Sequence, residues 1–162
     1  MAKTRRNLPV TRGILAVDLG LRTGLARFSA DNRLSWFRSH HFANTTALKR
    51  AVYGIVRDAE PYLVVVEGDR GYASIWEKAA LKWGAEVSHP SPERWRADLL
   101  LPREQVSAEE AKAAARVLAR RIIEDHGESR ATELRTDTAE AICLGYWAMS
   151  RQSLTTLTSG SG

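Results

Sequence analysis

With 162 residues and a mass of 18.0 kDa, 44% of the residues apolar and 27% charged, the chain has the size of one packed domain, which excludes two full catalytic domains and bulk disorder. Its apolar runs fall short of the ~20 residues that span a bilayer, no apolar signal segment follows the start MAKTRRNLPV, and the expectation is a soluble, cytoplasmic protein with no membrane partner. The net charge is +5 and the one cysteine, Cys143, excludes an internal disulfide; no Cys or His group has zinc-ligand spacing, which leaves hard, oxygen-ligated ions as the metals to consider.

The charge is unevenly placed. Lys3, Arg5, Arg6 and Arg12 all precede the first acid, so residues 1–12 form a basic arm on a nearly neutral body. Such an arm attracts the phosphates of a polyanion whatever its sequence, or else simply keeps the chain soluble. From Gly13, GILAVDL is a short apolar run of β-formers that closes on Asp18 and Leu19, the pattern of a buried strand. Gly20 and Gly24 punctuate the turn after it. Residues 23–29 and 33–42 alternate as two further strands about an Asp31-Asn32 turn, completing an antiparallel meander. Over 44–59, Leu48, Val52, Ile55 and Val56 share one helical face, Asn44 or Thr45 caps the start, and Pro61 lies beyond the end.

YLVVV over 62–66 is the most apolar segment; it predicts a central strand buried on both faces and ends at Glu67. Residues 73–83 predict a helix, whose Trp76 and Trp83 read as core or as a dimer seam. Residues 84–89 predict a short strand, and Pro90-Ser91-Pro92 opens a turn of helix through Trp95. The most regular helix spans 107–125. Ser107 and Glu110 form its capping box, Ala111, Ala114, Ala115, Leu118 and Ile122 line its inner face, and Lys112, Arg116 and Arg120 form a basic row beside that face. A polar connector leads to a last helix over 137–149, inside a domain of 13–150, and residues 151–162 read as a flexible tail. The order implies an α/β fold: a mixed sheet of about five strands, the first three antiparallel, flanked by helices.

Chemistry is carried by the acids. Asp18 and Glu67 end apolar strands, and Asp137 with Glu140 opens a helix. Charged groups are seldom sunk at the ends of central strands unless they are paired or bind metal. Carboxylates brought together repel and raise one another's pKa until a cation neutralises them. Their oxygens suit Mg²⁺ or Mn²⁺, and two such ions are the usual arrangement for in-line phosphodiester hydrolysis. Each acid also has an ordinary structural explanation. Asp137 and Glu140 have the spacing of a helix-capping pair, Glu67 before Gly68 can mark a strand end, and Asp18 can bond a turn backbone. Three acid-bearing segments that each follow an apolar element favour a shared site, because open sheets place sites at the carboxyl ends of their strands.

ILAVDLGLRTGLA, VVVEG and DTAEAICLGYWA, in that order across residues 13–149, resemble the three signature blocks of the RuvC-type Holliday junction resolvases, in the ribonuclease H-like superfamily. HPSPERWRADLL followed by a helical Lys is similar to RuvC-like relatives too. The resemblance implies a ribonuclease H-like sheet, with Asp18, Glu67, Asp137 and Glu140 around Mg²⁺ and Lys112 near the scissile phosphate. Some features depart from the family pattern. Asp18-Leu19-Gly20 stands where bacterial members have Asp-Pro-Gly, the turn to Thr23-Gly24 is one residue shorter, and Glu140 replaces an Asp. The first aromatic after Glu67 is Tyr72, beyond Gly68-Asp69-Arg70-Gly71. These departures point to a divergent, phage-like or organellar-like member.

The expected function is a metal-dependent endonuclease that resolves four-way DNA junctions as a homodimer, matching the two-fold symmetry of its substrate. Asp18, Glu67 and Asp137 act as ligands, with Glu140 as an additional ligand or base acceptor. Arg5, Arg6, Arg70, Tyr72 and Arg116 are the expected DNA contacts, with the Tyr72 ring stacking on an unpaired base. The alternatives are a YqgF-like nuclease acting on RNA and a non-catalytic nucleic-acid binder whose acids are only caps.

Overall fold

The computed structural model describes residues 12–128 and 133–159. The apolar runs become the strands β1 (Gly13–Asp18), β2 (Arg22–Phe28), β3 (Leu34–His41), β4 (Pro61–Glu67) and β5 (Glu86–Ser88). They form one sheet in the order β3-β2-β1-β4-β5. The first three are antiparallel neighbours, with Asn32 in the left-handed region at the β2–β3 turn, and β4 and β5 run parallel to β1. The helices are α1 (Thr45–Ala59), α2 (Arg70–Lys82), α3 (Pro92–Leu99), α4 (Ala108–His126) and α5 (Thr136–Ser159).

Period-two alternation gives the sheet two apolar faces. Ile14, Ala16, Phe28, Leu63 and Val65 pack in one core with residues of α4 and α5. Leu15, Val17, Leu25, Val64 and Val66 pack in a second core with α1 and α2. Close contact with α5 depends on two glycines. A Cβ on Gly24 would lie 1.9 Å from the Asp137 carbonyl oxygen, and one on Gly145 would lie 2.5 Å from the Phe28 ring. The start of α5 therefore sits directly on β2, beside the end of β1.

Several element ends differ from expectation. Helix α2 starts at Arg70 rather than residue 73, because Asp69 caps it, its carboxylate accepting from the Gly71 N–H at 2.7 Å. Helix α3 runs on to Leu99. Helix α5 continues to Ser159, where a flexible tail from residue 151 was expected; no Gly or Pro falls between residues 151 and 159. Trp76 is fully buried in the α1–α2 core and Trp83 packs half-buried beside it. Asn44 caps α1 and Ser107 caps α4, each side chain accepting from the N–H three residues on. The arm lies outside the described residues except for Arg12, whose Nη1 donates to the Trp83 carbonyl at 3.1 Å. Among the described residues no helix is long and apolar enough to cross a membrane.

Candidate metal centre

Strand parity and register bring the first two acids together. Asp18 continues the Ile14, Ala16 series and Glu67 the Leu63, Val65 series, so both follow the face covered by α5. In the parallel β1–β4 pair, Asp18 stands directly opposite Glu67. Helix α5 supplies the third. Glu140 lies one turn before Leu144 of the same core, and one oxygen each of Asp18, Glu67 and Glu140 lie within 4.8 Å of one another.

The electrostatics of this trio are unfavourable without a cation. Burial, then the charges of Glu140, Glu67 and Asp137, raise the Asp18 pKa from 3.8 to about 8. Burial also raises Glu67, against the lowering effect of a hydrogen bond from Trp95. A set of converging carboxylate oxygens, with Asp18 and Glu67 held above their usual range, fits Mg²⁺ or Mn²⁺ and offers no soft ligand.

Asp137 stands slightly apart. Its Oδ2 accepts from Ser39 Oγ of the edge strand at 2.5 Å. Of the two α5 acids, Glu140, expected to assist or cap, lies in the close trio, and Asp137, expected as a ligand, is tethered to β3. The capping explanation fails on position, because α5 begins at Thr136. The hydrogen bonds of these two carboxylates run to Ser39 and Arg96 instead. Asp137 still lines the same cleft of about 490 Å³ as Asp18 and Glu140, with Arg22, Lys112 and Arg135 supplying positive charge around it.

The other expected contacts are more scattered. Arg116, on the exposed side of α4, donates from Nη1 to Thr136 Oγ1 at 3.3 Å. Arg70 and Tyr72 occupy the first turn of α2, beyond the end of β4; Arg70 is exposed and Tyr72 packs half-buried against the α1–α2 core. Arg5 and Arg6 lie outside the described residues. Two residues that touch the acids carried no role in the sequence reading: Trp95 Nε1 donates to Glu67 Oε2, and Arg96 pairs with Glu140. The sequence held only a weak signal: a buried tryptophan N–H commonly takes an acceptor, but the N–H groups of Trp76 and Trp83 are buried without one.

The raised Asp18 pKa has a consequence for stability. Its proton is held more tightly folded than unfolded, so the metal-free protein loses stability as pH rises from about 4 towards about 8. The variant Asp18→Asn removes that charge. At pH 8 in EDTA it is expected to melt about 5 °C higher than wild type, equivalent to about 2 kcal/mol, with the difference vanishing near pH 4. Thermal melts across pH check this; equal melting temperatures at pH 8 would contradict it.

No protein-family model matches the sequence, and no curated protein sequence matches it. Solved structures do. RuvC of T. thermophilus in complex with a Holliday junction substrate matches with a TM-score of 0.63 and 14% identity, over 88% of this chain and 96% of that one. The fowlpox virus Holliday junction resolvase matches with a TM-score of 0.70 and 15% identity, over 86% and 99%. The yeast mitochondrial Holliday junction resolvase gives 0.51 and 11%, over 91% and 83%. The mixed sheet, its covering helices and these likenesses together give the chain the ribonuclease H-like fold of the RuvC-type Holliday junction resolvases.

Proposed function

We propose that the protein is a Mg²⁺- or Mn²⁺-dependent endodeoxyribonuclease that resolves four-way DNA junctions as a homodimer. The observation that carries this reading is the convergence of Asp18, Glu67 and Glu140 from β1, β4 and α5, in a cleft that also holds Asp137 and Lys112. Asp18, Glu67 and Glu140 hold the divalent ion, and Asp137 extends the acid set along the cleft. When bound, the ion supplies a neutralising charge for the phosphate and lowers the pKa of the attacking water. The water gives up a proton to solvent as its oxygen bonds to phosphorus, the P–O bond to the leaving sugar oxygen breaks, and that sugar oxygen takes up a proton, so one water is consumed per cut.

Lys112, which lines the cleft with Arg22 and Arg135, is in this reading the ammonium that steadies a non-bridging phosphate oxygen. Arg116, Arg70 and Tyr72 contact the junction arms and their unpaired bases, and Arg5 and Arg6 in the arm add sequence-independent attraction. A four-way junction has two equivalent strands to cut, so a two-fold dimer places one centre at each.

Cleavage of a four-way junction, a linear duplex and a structured RNA, each with Mg²⁺ or EDTA, tests the reading. The expected result is paired nicks in the junction at a rate at least about tenfold above the other substrates, and none in EDTA. Preferential RNA cleavage would replace it with an RNA-processing nuclease, and binding without cleavage would replace it with a non-catalytic binder.

The arm makes a separate prediction. Arg12 is already bonded to Trp83, so deleting residues 1–11 removes Lys3, Arg5 and Arg6 and leaves that anchor. The slope of log binding constant against log salt is expected to fall by up to about 2.7, at ~0.9 per lost phosphate contact. An unchanged slope in fluorescence anisotropy would make the arm a solubilising tail.

A further inference from the structure

Residues 89–98 cross from the open end of β4 to α5, and polar side chains make the connection. His89 Nε2 lies 3.0 Å from the Gly68 carbonyl oxygen, and Asp98 Oδ2 accepts from Trp147 Nε1 at 2.7 Å. Between these anchors, two consecutive residues of α3 reach the acids. Trp95 is fully buried, and its Nε1 donates to Glu67 Oε2 at 2.5 Å. Arg96 Nη2 lies 3.1 Å from Glu140 Oε1, with its guanidinium over the Trp95 ring at 5.3 Å.

A residue whose task was only to fill this space would need no polar atom; the indole N–H of the fully buried Trp76 has no partner, whereas that of Trp95 is aimed at an acid. Here the acceptor is a carboxylate that has itself lost solvent. Each bond occupies one oxygen of an acid and restricts rotation of the carboxylate plane, leaving the second oxygen for another partner. Loss of a group that orients a ligand in this way typically costs about 10–100-fold in metal affinity. Arg96 also brings a positive charge to Glu140, which fixes the carboxylate from one side.

We propose that Trp95 and Arg96 are the positioning residues of the metal centre, holding Glu67 and Glu140 in the orientation that accepts one divalent ion. The proposal rests on the metal-centre reading above and adds a layer to it. Neither residue touches the ion; each acts through the carboxylate it bonds.

Mn²⁺ binding to the full chain without DNA, followed by the electron paramagnetic resonance signal of free Mn²⁺, tests the assignment independently of cleavage. Trp95→Phe keeps the ring and loses the donor; Arg96→Met keeps much of the stem and loses the fork. Each is expected to weaken Mn²⁺ binding about tenfold or more. Asp98→Asn loosens the same helix from α5 without altering a bond to the acids, and is expected to leave Mn²⁺ affinity within twofold of wild type. Wild-type affinity in both Trp95→Phe and Arg96→Met, or an equal loss in Asp98→Asn, would overturn the proposal while leaving the metal site standing. Absence of Mn²⁺ binding by wild type would overturn both.

Discussion

Replacing Asp18 with Asn, Glu67 with Gln or Glu140 with Gln is expected to slow junction cleavage by at least about 10³-fold, while junction binding stays within a few-fold of wild type. The magnitude follows from the several kcal/mol that a bound cation contributes to a transition state that gathers charge on phosphate, at 1.36 kcal/mol per tenfold. Binding is spared because phosphate contacts come from basic groups elsewhere. Removing one acid also lessens the repulsion that raises Asp18, so these variants are expected to fold at least as firmly as wild type without metal. Glu140→Gln is the informative member. As a helix cap it would alter stability and little else, whereas in the trio with Asp18 and Glu67 it falls with them. Asp137→Asn is expected to fall too, since its carboxylate lines the same cleft. Single-turnover rates with anisotropy binding curves check all four; a Glu140→Gln rate within tenfold of wild type would remove that residue from the ligand set.

The second large effect lies on a residue without any functional group. Gly24→Ala places a methyl 1.9 Å from the Asp137 carbonyl oxygen and 2.9 Å from the Thr138 nitrogen. Both are backbone atoms, so no rotamer change relieves the clash. The first turn of α5 must lift off β2, carrying Asp137 and Glu140 away from Asp18. Overpacking of this kind costs about 3 kcal/mol, and a displacement of ~1 Å at a catalytic centre costs about 100-fold in rate. Gly54→Ala is the control. Its added Cβ meets nothing nearer than an Arg57 nitrogen at 3.8 Å, and inside α1 the change is expected to stabilise by about 0.5–1 kcal/mol with no effect on cleavage. Thermal melts with cleavage rates well below the melting temperature separate the two; unimpaired cleavage by Gly24→Ala would contradict the close-packed start of α5.

Much of this arrangement is legible in the sequence because it depends on periodicity. The apolar runs GILAVD and YLVVV read as buried strands, the alternating stretches 23–29 and 33–42 read as the rest of the meander, and Asp18 and Glu67 then fall at matching strand ends. The helix faces of α1 and α4 follow from their apolar spacing. Capping chemistry was harder to read. Gly68-Asp69-Arg70-Gly71 resembles a loop by composition, but Asp69 satisfies a helix N–H and so starts α2 early. The relative placement of Asp137 and Glu140 was not legible either. Three residues apart, they fit a capping pair or a ligand pair equally well, and the choice depends on Ser39, 98 positions from Asp137 in the chain. The same holds for Trp95 and Arg96, whose partners Glu67 and Glu140 are 28 and 44 residues distant. Such contacts are set by sheet register and by the packing of α3, which no local pattern encodes.

The central claim, that acids from β1, β4 and α5 share a divalent ion, is tested most directly by anomalous scattering from a crystal soaked in Mn²⁺. The predicted result is a peak bound by carboxylate oxygens of Asp18, Glu67 and Glu140. A peak bound elsewhere, or no peak at Mn²⁺ concentrations that support cleavage, would contradict it.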